Sequence, residues 1–235
     1  MSLDHVELVA AAIEDLNVVF VGGAVTPLYL SSDAVSRPTD DVDCVVTVSS
    51  RIAYNQLEGE LRRRGLRQPI AEGGPICRWR LPVDAELSIV VGVMPSDPAI
   101  LGFSNDWYEL GAQAPVSRTL PSGRTVRVFR PSLFLASKVE AYEARGAKDP
   151  LFSHDLEDVI TLLEGCKGLV DDVESSPAPV RGFLGAWSRD RLADPNFGEL
   201  VDGNLGGRGA ALLRRRAEVF ARLKRLSSGH TPHRP

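Results

Sequence analysis

The sequence has few cysteines, no long apolar run and no secretion signal, and these absences exclude several classes of protein. Of 235 residues only three are cysteines, Cys44, Cys77 and Cys166, and their spacing fits neither a zinc site nor a redox pair. No apolar run approaches the roughly 18 residues needed to span a membrane. The N-terminus lacks a basic region followed by an apolar core. We therefore expect a cytoplasmic protein with reduced thiols and no membrane association.

The sequence also lacks a large excess of either charge. Its formal net charge is −4, which gives no overall attraction to nucleic acid. Basic runs occur at residues 62–64 and 214–216, with further basic residues at 222, 224 and 225. Such runs are typical of solvated helix faces, and the alternative is contact with the phosphates of an RNA acceptor.

The order of apolar patterns predicts an α+β fold with two parts. Strands are predicted at residues 17–21, 42–48, 76–81, 87–93 and 125–129, and helices at 4–15, 24–30 and 51–64, with an irregular stretch before the last strand. Helical patterns dominate afterwards. We expect a mixed-sheet catalytic domain at 1–130, a helical domain at 131–226 that completes a nucleotide cleft, and a disordered tail at 227–235 whose histidines, His230 and His233, bind no metal.

A pair of aspartates in a predicted strand is the most informative pattern. Side chains alternate along a strand, so Asp41 and Asp43 point to one face while Val42 and Cys44 point to the other. Neighbouring carboxylates repel, and they either share a proton or take up a divalent cation that carries nucleotide phosphates. The pair therefore indicates phosphoryl chemistry with Mg²⁺ or Mn²⁺. Cys44 is expected to be a packed core thiol rather than a nucleophile.

A glycine pair precedes the aspartates. The predicted strand at 17–21 runs into Gly22-Gly23 and then into a predicted helix. Glycines at such a turn let phosphate oxygens approach the N–H groups of a helix N-terminus. An ordinary turn is the alternative interpretation, because glycine pairs most often mark turns.

The glycine pair and the segment Arg37-Pro38-Thr39-Asp40-Asp41-Val42-Asp43 together resemble the nucleotidyltransferase superfamily that shares the DNA polymerase β palm. Within it, the sequence looks most like the AbiEii family, and the further segments that resemble it are Val93–Pro95, Ile100–Tyr108, Phe134–Tyr142 and Ser153–Asp158. The resemblance implies that Asp41 and Asp43 hold magnesium and that Gly22, Gly23, Arg37 and Thr39 bind nucleotide. It also implies transfer of a nucleoside monophosphate from an NTP such as ATP or GTP.

Two later helices carry further candidates. Pro131 suits the first turn of a helix with Lys138 near its middle. Lys138 is either a solvated lysine or, as the resemblance implies, a contact to the triphosphate. Ser153 is the expected N-cap of the next helix, so Asp155 complements the helix dipole or, as the resemblance implies, acts as a general base or organises the phosphate side of the site. Asp158, on the same face, is a weaker candidate.

One residue departs from the family pattern. Polymerase-β-like sites usually carry a third carboxylate on a neighbouring strand, and at that position this sequence has Gly92. Such a carboxylate completes the ligands of a metal or accepts the proton of the attacking hydroxyl. Asp84 or Glu86 could replace it from the preceding hairpin, although a role in the turn explains both. Asp155 is the other potential replacement.

The sequence thus leaves three functions open. The first is a magnesium-dependent nucleotidyltransferase with tRNA or protein as acceptor, acting as the toxin of a toxin–antitoxin pair with a cognate antitoxin as partner. The second is a nucleotide-binding or partner-binding protein that Gly92 has impaired as a catalyst. A small-molecule nucleotidyltransferase of the aminoglycoside type is the third.

Overall fold

The chain folds into two compact units. The computed structural model describes residues 2–31, 35–48, 50–69, 77–101 and 105–228. One unit lies within Met1–Leu28 and Arg37–Arg130, and the other within Tyr29–Ser36 and Pro131–Pro235. Residues 229–235 of the expected tail, with His230 and His233, lie outside the described residues, as do residues 102–104 of the segment that resembles AbiEii.

A six-stranded mixed sheet forms the centre of the first unit, with the strand order β3-β4-β2-β1-β6-β5. Its strands are β1 (Val18–Val21), β2 (Asp41–Val46), β3 (Arg78–Pro82), β4 (Ser88–Pro95), β5 (Val116–Thr119) and β6 (Thr125–Val128). Strand β2 is antiparallel to β1 and parallel to β4, and β4 is antiparallel to the edge strand β3. The acidic strand therefore lies inside the sheet, with two neighbours.

Two helices of the first unit flank this sheet. They are α1 (Ser2–Ala12) and α2 (Arg51–Arg63). The buried Tyr54 of α2 donates a hydrogen bond to the carbonyl of Val93 at 3.0 Å, and Arg62 stacks over the ring of Trp79. Trp79 is fully buried, and Trp107 nearly so, so both tryptophans are core residues.

Four elements of the first unit were predicted with the wrong type or missed. The segment predicted as an α-helix at 24–30 is a 3₁₀ helix, Gly23–Tyr29, with Pro27 inside it. Pro27 has no N–H for an α-helical hydrogen bond. Helices α3 (Pro98–Leu101) and α4 (Tyr108–Gln113) and strand β5 lie where an irregular stretch was expected. Strand β5 contains no fully buried side chain, so its sequence lacks the apolar alternation that predicts a strand.

The second unit is helical. Its α-helices are α5 (Pro131–Ala141), α6 (His154–Gly165), α7 (Leu169–Glu174), α8 (Ala178–Ala193), α9 (Phe197–Leu205) and α10 (Gly209–Ser228). A π-helical turn, Tyr142–Gly146, follows α5 directly. Ser153 caps α6 as predicted, since its hydroxyl accepts the N–H of Leu156. No described helix has both the length and the apolar content that a membrane crossing requires.

Candidate functional site

Asp41 and Asp43 lie on one face at the start of β2, as the strand alternation predicts. Both are partly exposed, whereas Val42 and Cys44 are fully buried on the other face. Burial raises the pKa of the Cys44 thiol, and the nearby Asp43 charge raises it further. Cys44 is therefore a core thiol that stays protonated, and the two aspartates share a face that solvent can reach.

The Asp43 carboxylate fits between two glycines that leave room for it. Gly22 has a φ of +77°, which glycine adopts without strain, and a Cβ there would lie 2.6 Å from Asp43 Oδ2. Gly92 is in direct register with Asp43 on β4, and a Cβ there would lie 2.2 Å from Oδ1. The space for Asp43 thus depends on glycine on both sides. The sequence predicted only a turn or a phosphate-binding role for Gly22, and this contact with Asp43 was not predicted.

Residues 37–39 fold back beside the glycine pair. The Thr39 hydroxyl donates a short hydrogen bond to the Asp41 carboxylate. The Arg37 guanidinium lies against Gly23, where a Cβ would be 2.7 Å from Nη2. All six residues predicted from the first unit's glycine and D-x-D motifs therefore meet at one place: Gly22, Gly23, Arg37, Thr39, Asp41 and Asp43.

The donor set at this place suits a hard divalent cation. Asp41 and Asp43 offer carboxylate oxygens, and Mg²⁺ binds to one or two carboxylates with water and substrate phosphates completing its shell. Nowhere in the described ranges do three or more His, Cys, Asp or Glu side chains form a group that could hold a metal. In the part of the chain that the structure describes, this place offers two carboxylates, Asp41 and Asp43.

The two candidates for the missing carboxylate lie at the tip of the β3–β4 hairpin. Asp84 Oδ1 accepts the N–H groups of Glu86 and Leu87, each at 2.8 Å. These bonds lower the pKa of Asp84. Both acids are exposed, and the whole stretch Ser88–Val91 separates them from Gly92. The structure thus supports the turn role and places neither acid beside Asp43.

A buried charged network occupies the second unit. Lys138, in α5, is 8% exposed, so the alternative of a solvated surface lysine is wrong. Its Nζ lies 2.6 Å from Asp158 Oδ2 and 3.4 Å from Asp155 Oδ1. Asp158 and Asp155 are themselves almost fully buried, at 1% and 6% exposure. The predicted shared face of the two aspartates is therefore the face that contacts Lys138.

Arg145 holds the outer side of this network. From the π-helical turn its Nε and Nη2 contact both carboxylate oxygens of Asp155, at 2.7 and 3.1 Å. Burial alone would raise the pKa of Asp155, but the hydrogen bonds from Arg145 and the charge of Lys138 outweigh burial and hold that pKa below its ordinary value. A carboxylate of lowered pKa is a weak proton acceptor, which argues against Asp155 as a general base.

The basic runs selected from the sequence are largely neutralised. Arg62, Arg63 and Arg64 form ion pairs with Glu58 or Glu60 of their own helix. The C-terminal run is paired in the same way, through Arg215 with Glu164, Arg216 with Asp202, Arg222 with Glu218, and Arg225 with Asp171 and Glu174. These contacts favour the interpretation as ordinary helix faces over an RNA surface.

Comparison with known proteins supports the fold. Neither a family model nor a curated protein matches the sequence. A solved structure, that of an antigenic nucleotidyltransferase-like protein from Paracoccidioides brasiliensis, is similar over 91% of this chain and 96% of that chain, with a TM-score of 0.52 and 19% sequence identity. At this identity the likeness concerns the fold alone. It confirms the predicted α+β, nucleotidyltransferase-like fold class and does not extend to the AbiEii family.

Proposed function

We propose that this chain is a nucleotidyltransferase that moves a nucleoside monophosphate from an NTP to an acceptor. One observation carries the proposal: Asp41 and Asp43 share a partly exposed face of β2, directly beside Gly22, in a nucleotidyltransferase-like fold. In the reaction the acceptor hydroxyl oxygen forms a bond to the α-phosphorus. The bond from that phosphorus to the pyrophosphate oxygen breaks, pyrophosphate leaves, and the hydroxyl proton passes to water.

Asp41 and Asp43 are the proposed magnesium ligands. Bound magnesium supplies charge neutralisation on the phosphates and alignment of the reacting groups. Thr39 orients the Asp41 carboxylate through its hydroxyl, and the two glycines beside Asp43 let that carboxylate lie against the backbone. Arg37 is the proposed phosphate ligand at the glycine pair, because a guanidinium can donate two parallel hydrogen bonds to a phosphate.

We assign a positioning role to the buried network of Lys138, Asp155 and Asp158. Each charge is already balanced inside the helical unit, with Lys138 between two carboxylates and Asp155 also bound by Arg145. A direct contact from Lys138 to the triphosphate requires that the lysine exchange one of these carboxylates for a phosphate. A stable buried network of this kind fixes the ends of α5 and α6 in relation to each other.

The acceptor and the biological role rest on the sequence motifs. The segments that resemble AbiEii favour tRNA or protein as the acceptor and a toxin with a cognate antitoxin as partner. A small-molecule acceptor uses the same aspartates, so only an acceptor assay separates these classes.

A second function is favoured by Gly92. The residue in direct register with Asp43 on β4 carries no carboxylate, and Asp84 and Glu86 lie at the hairpin tip instead. Without a third carboxylate the site can bind magnesium and nucleotide while chemistry is slow, since general acid–base help is worth roughly 10²–10⁴ in rate. Such a protein would bind nucleotide without transferring it.

The test is a transfer assay with each α-labelled NTP. Purified protein, magnesium, total tRNA and an aminoglycoside mixture are incubated beside an Asp41→Asn/Asp43→Asn variant. We expect label on the RNA or on the protein that disappears in the variant. Label confined to the small molecules would name the third function. No label, together with magnesium-dependent NTP binding in calorimetry, would indicate the second function, a protein that binds nucleotide without transferring it.

A further inference from the structure

Three exposed arginines form a cluster at the β3 edge of the sheet. Arg78 and Arg80 alternate with the buried Trp79 and Leu81, so both arginines point to the same face. Arg67 extends this edge, because its backbone exchanges two 2.8 Å hydrogen bonds with Arg80. Residues paired in this way present their side chains to the same face, so Arg67 joins the other two. We call these three residues the arginine edge.

The arginine edge lies on the face that carries the candidate metal ligands. Arg78 is in register with Gly92, and Gly92 with Asp43. Arg80 is in register with Val90, and Val90 with Asp41. Each aspartate thus has an arginine two strands away in its own row, about 10 Å between Cα atoms. In the Asp43 row, the residue between carboxylate and arginine is a glycine, so the Asp43 carboxylate occupies the place of its side chain and no other side chain of the row lies between them.

The arginine edge differs from the other basic residues in its charge balance. Within the described residues, none of its three guanidinium groups forms an ion pair with a carboxylate, and Arg80 donates only to the Ser88 hydroxyl at 3.1 Å. Arg67 and Arg80 line an open cavity of about 520 Å³ that Asp84 and Glu86 also line. Asp84 is engaged by two backbone N–H groups there, so its charge is partly satisfied.

We propose that the arginine edge binds backbone phosphates of a nucleic-acid acceptor and leads its reactive end across Gly92 to Asp43. That this nucleic acid is the acceptor rests on the transfer reaction proposed above. Guanidinium groups bind phosphates through paired hydrogen bonds, and three in an array suit a chain of phosphates. The triphosphate belongs on the other side of β2, since Gly22, Gly23 and Arg37 lie on the β1 side.

The glycine at position 92 is part of this design. A carboxylate there would lie directly opposite Arg78, and opposite charges in directly opposed strand positions pair with each other. With glycine, no side chain on β4 opposes Arg78 in this row. Glycine at position 92 therefore has two effects. The site lacks a third carboxylate, and the Arg78 guanidinium has no acid opposite it on β4.

The test measures binding of a fluorescein-labelled tRNA by anisotropy, so it does not depend on turnover. Arg78→Ala is compared with Arg63→Ala, an exposed arginine on α2 that is paired with Glu60. We expect Arg78→Ala to weaken tRNA binding roughly five- to tenfold and Arg63→Ala to leave it unchanged. Three phosphate contacts predict a slope of about −2 for log K against log salt, which the triple alanine variant of the arginine edge should abolish.

Any other result of the binding measurements would overturn the inference. Wild-type protein that binds no tRNA, or an Arg78→Ala protein that binds it normally, removes the nucleic-acid surface. Weaker binding of an NTP in Arg78→Ala, with tRNA binding intact, assigns the phosphate to the nucleotide instead. If tRNA binding depends on Arg78 but no label is transferred, the phosphate surface stands and the proposed transfer fails.

Discussion

Gly92 lies directly opposite Asp43 on the neighbouring parallel strand, and a Cβ on Gly92 would come within 2.2 Å of the Asp43 carboxylate. The position of the Asp43 carboxylate therefore requires glycine at position 92. The relationship gives position 92 two roles, the shape of the Asp43 site and the absence of a third carboxylate, which different substitutions can separate.

Gly92→Ala should displace the Asp43 carboxylate without adding a charge. We expect magnesium-dependent binding of a non-hydrolysable NTP to weaken about tenfold, because one of the two proposed metal ligands moves. Gly92→Asp adds the same Cβ with a carboxylate of its own, so it should bind more tightly than Gly92→Ala. Titration calorimetry with and without magnesium measures both effects.

Gly59→Ala is the matched control, since a Cβ on this α2 glycine meets nothing within 4 Å. Its nucleotide binding should equal that of the wild type. Wild-type affinity in a folded Gly92→Ala protein would contradict the role of Asp43 as a metal ligand.

Strand alternation allowed the sequence to predict which face Asp41 and Asp43 share, because that property is local. The helix cap at Ser153 was predictable for the same reason. The position of Gly92 against Asp43 was not, since it depends on the pairing of two strands that are far apart in the sequence, β2 at Asp41–Val46 and β4 at Ser88–Pro95. A local sequence pattern does not indicate which distant strands pair.

Charge balance was also beyond the sequence. The sequence indicated a potential RNA surface at the arginine runs 62–64 and 214–216. In the structure, most of those arginines form ion pairs with carboxylates one helical turn away or on another helix. The arginine edge contains no run. The alternation Arg78-Trp79-Arg80-Leu81 was a readable signal that two arginines share a face, but only the register places that face beside the aspartates.

Asp41→Asn and Asp43→Asn should each remove transfer by more than roughly 10²-fold while leaving the fold intact. The substitutions keep the side-chain shape and remove a metal-binding charge. The melting temperature should stay the same or rise, because two like charges no longer repel. Labelled-NTP transfer and thermal unfolding measure the two effects.

Asp40→Asn serves as the control for this pair, since Asp40 is exposed and precedes β2. It should retain full transfer. Activity that survives in both Asp41→Asn and Asp43→Asn would remove the metal assignment.

Lys138→Met should destabilise the protein by about 3–5 kcal/mol. The substitution removes the Lys138 ammonium from the buried Asp158 and from Asp155, and loss of one partner of a buried ion pair is costly. Lys138→Met/Asp158→Leu should recover part of the loss because both charges of the closest pair are gone. Urea unfolding measures these values, with the exposed Lys167→Met as control. An unchanged unfolding free energy in Lys138→Met would mean that the network does not stabilise the helical unit.

Asp155 should make the protein more sensitive to acid. Its pKa in the folded state lies below its ordinary value, mainly because Arg145 and Lys138 outweigh the effect of burial. A group of lowered pKa contributes stability above its unfolded pKa, about 3.9 for aspartate, and loses that stability as pH falls through the folded pKa. Between pH 5 and pH 3 the unfolding free energy of the wild type should therefore fall more steeply than that of Asp155→Asn.

Arg145→Ala should show an intermediate slope, because the two hydrogen bonds that favour the ionised carboxylate are lost while Lys138 remains. Urea unfolding at pH 5, 4 and 3 measures all three slopes, and equal slopes in the wild type and Asp155→Asn would show that Asp155 titrates alike in the folded and unfolded chains.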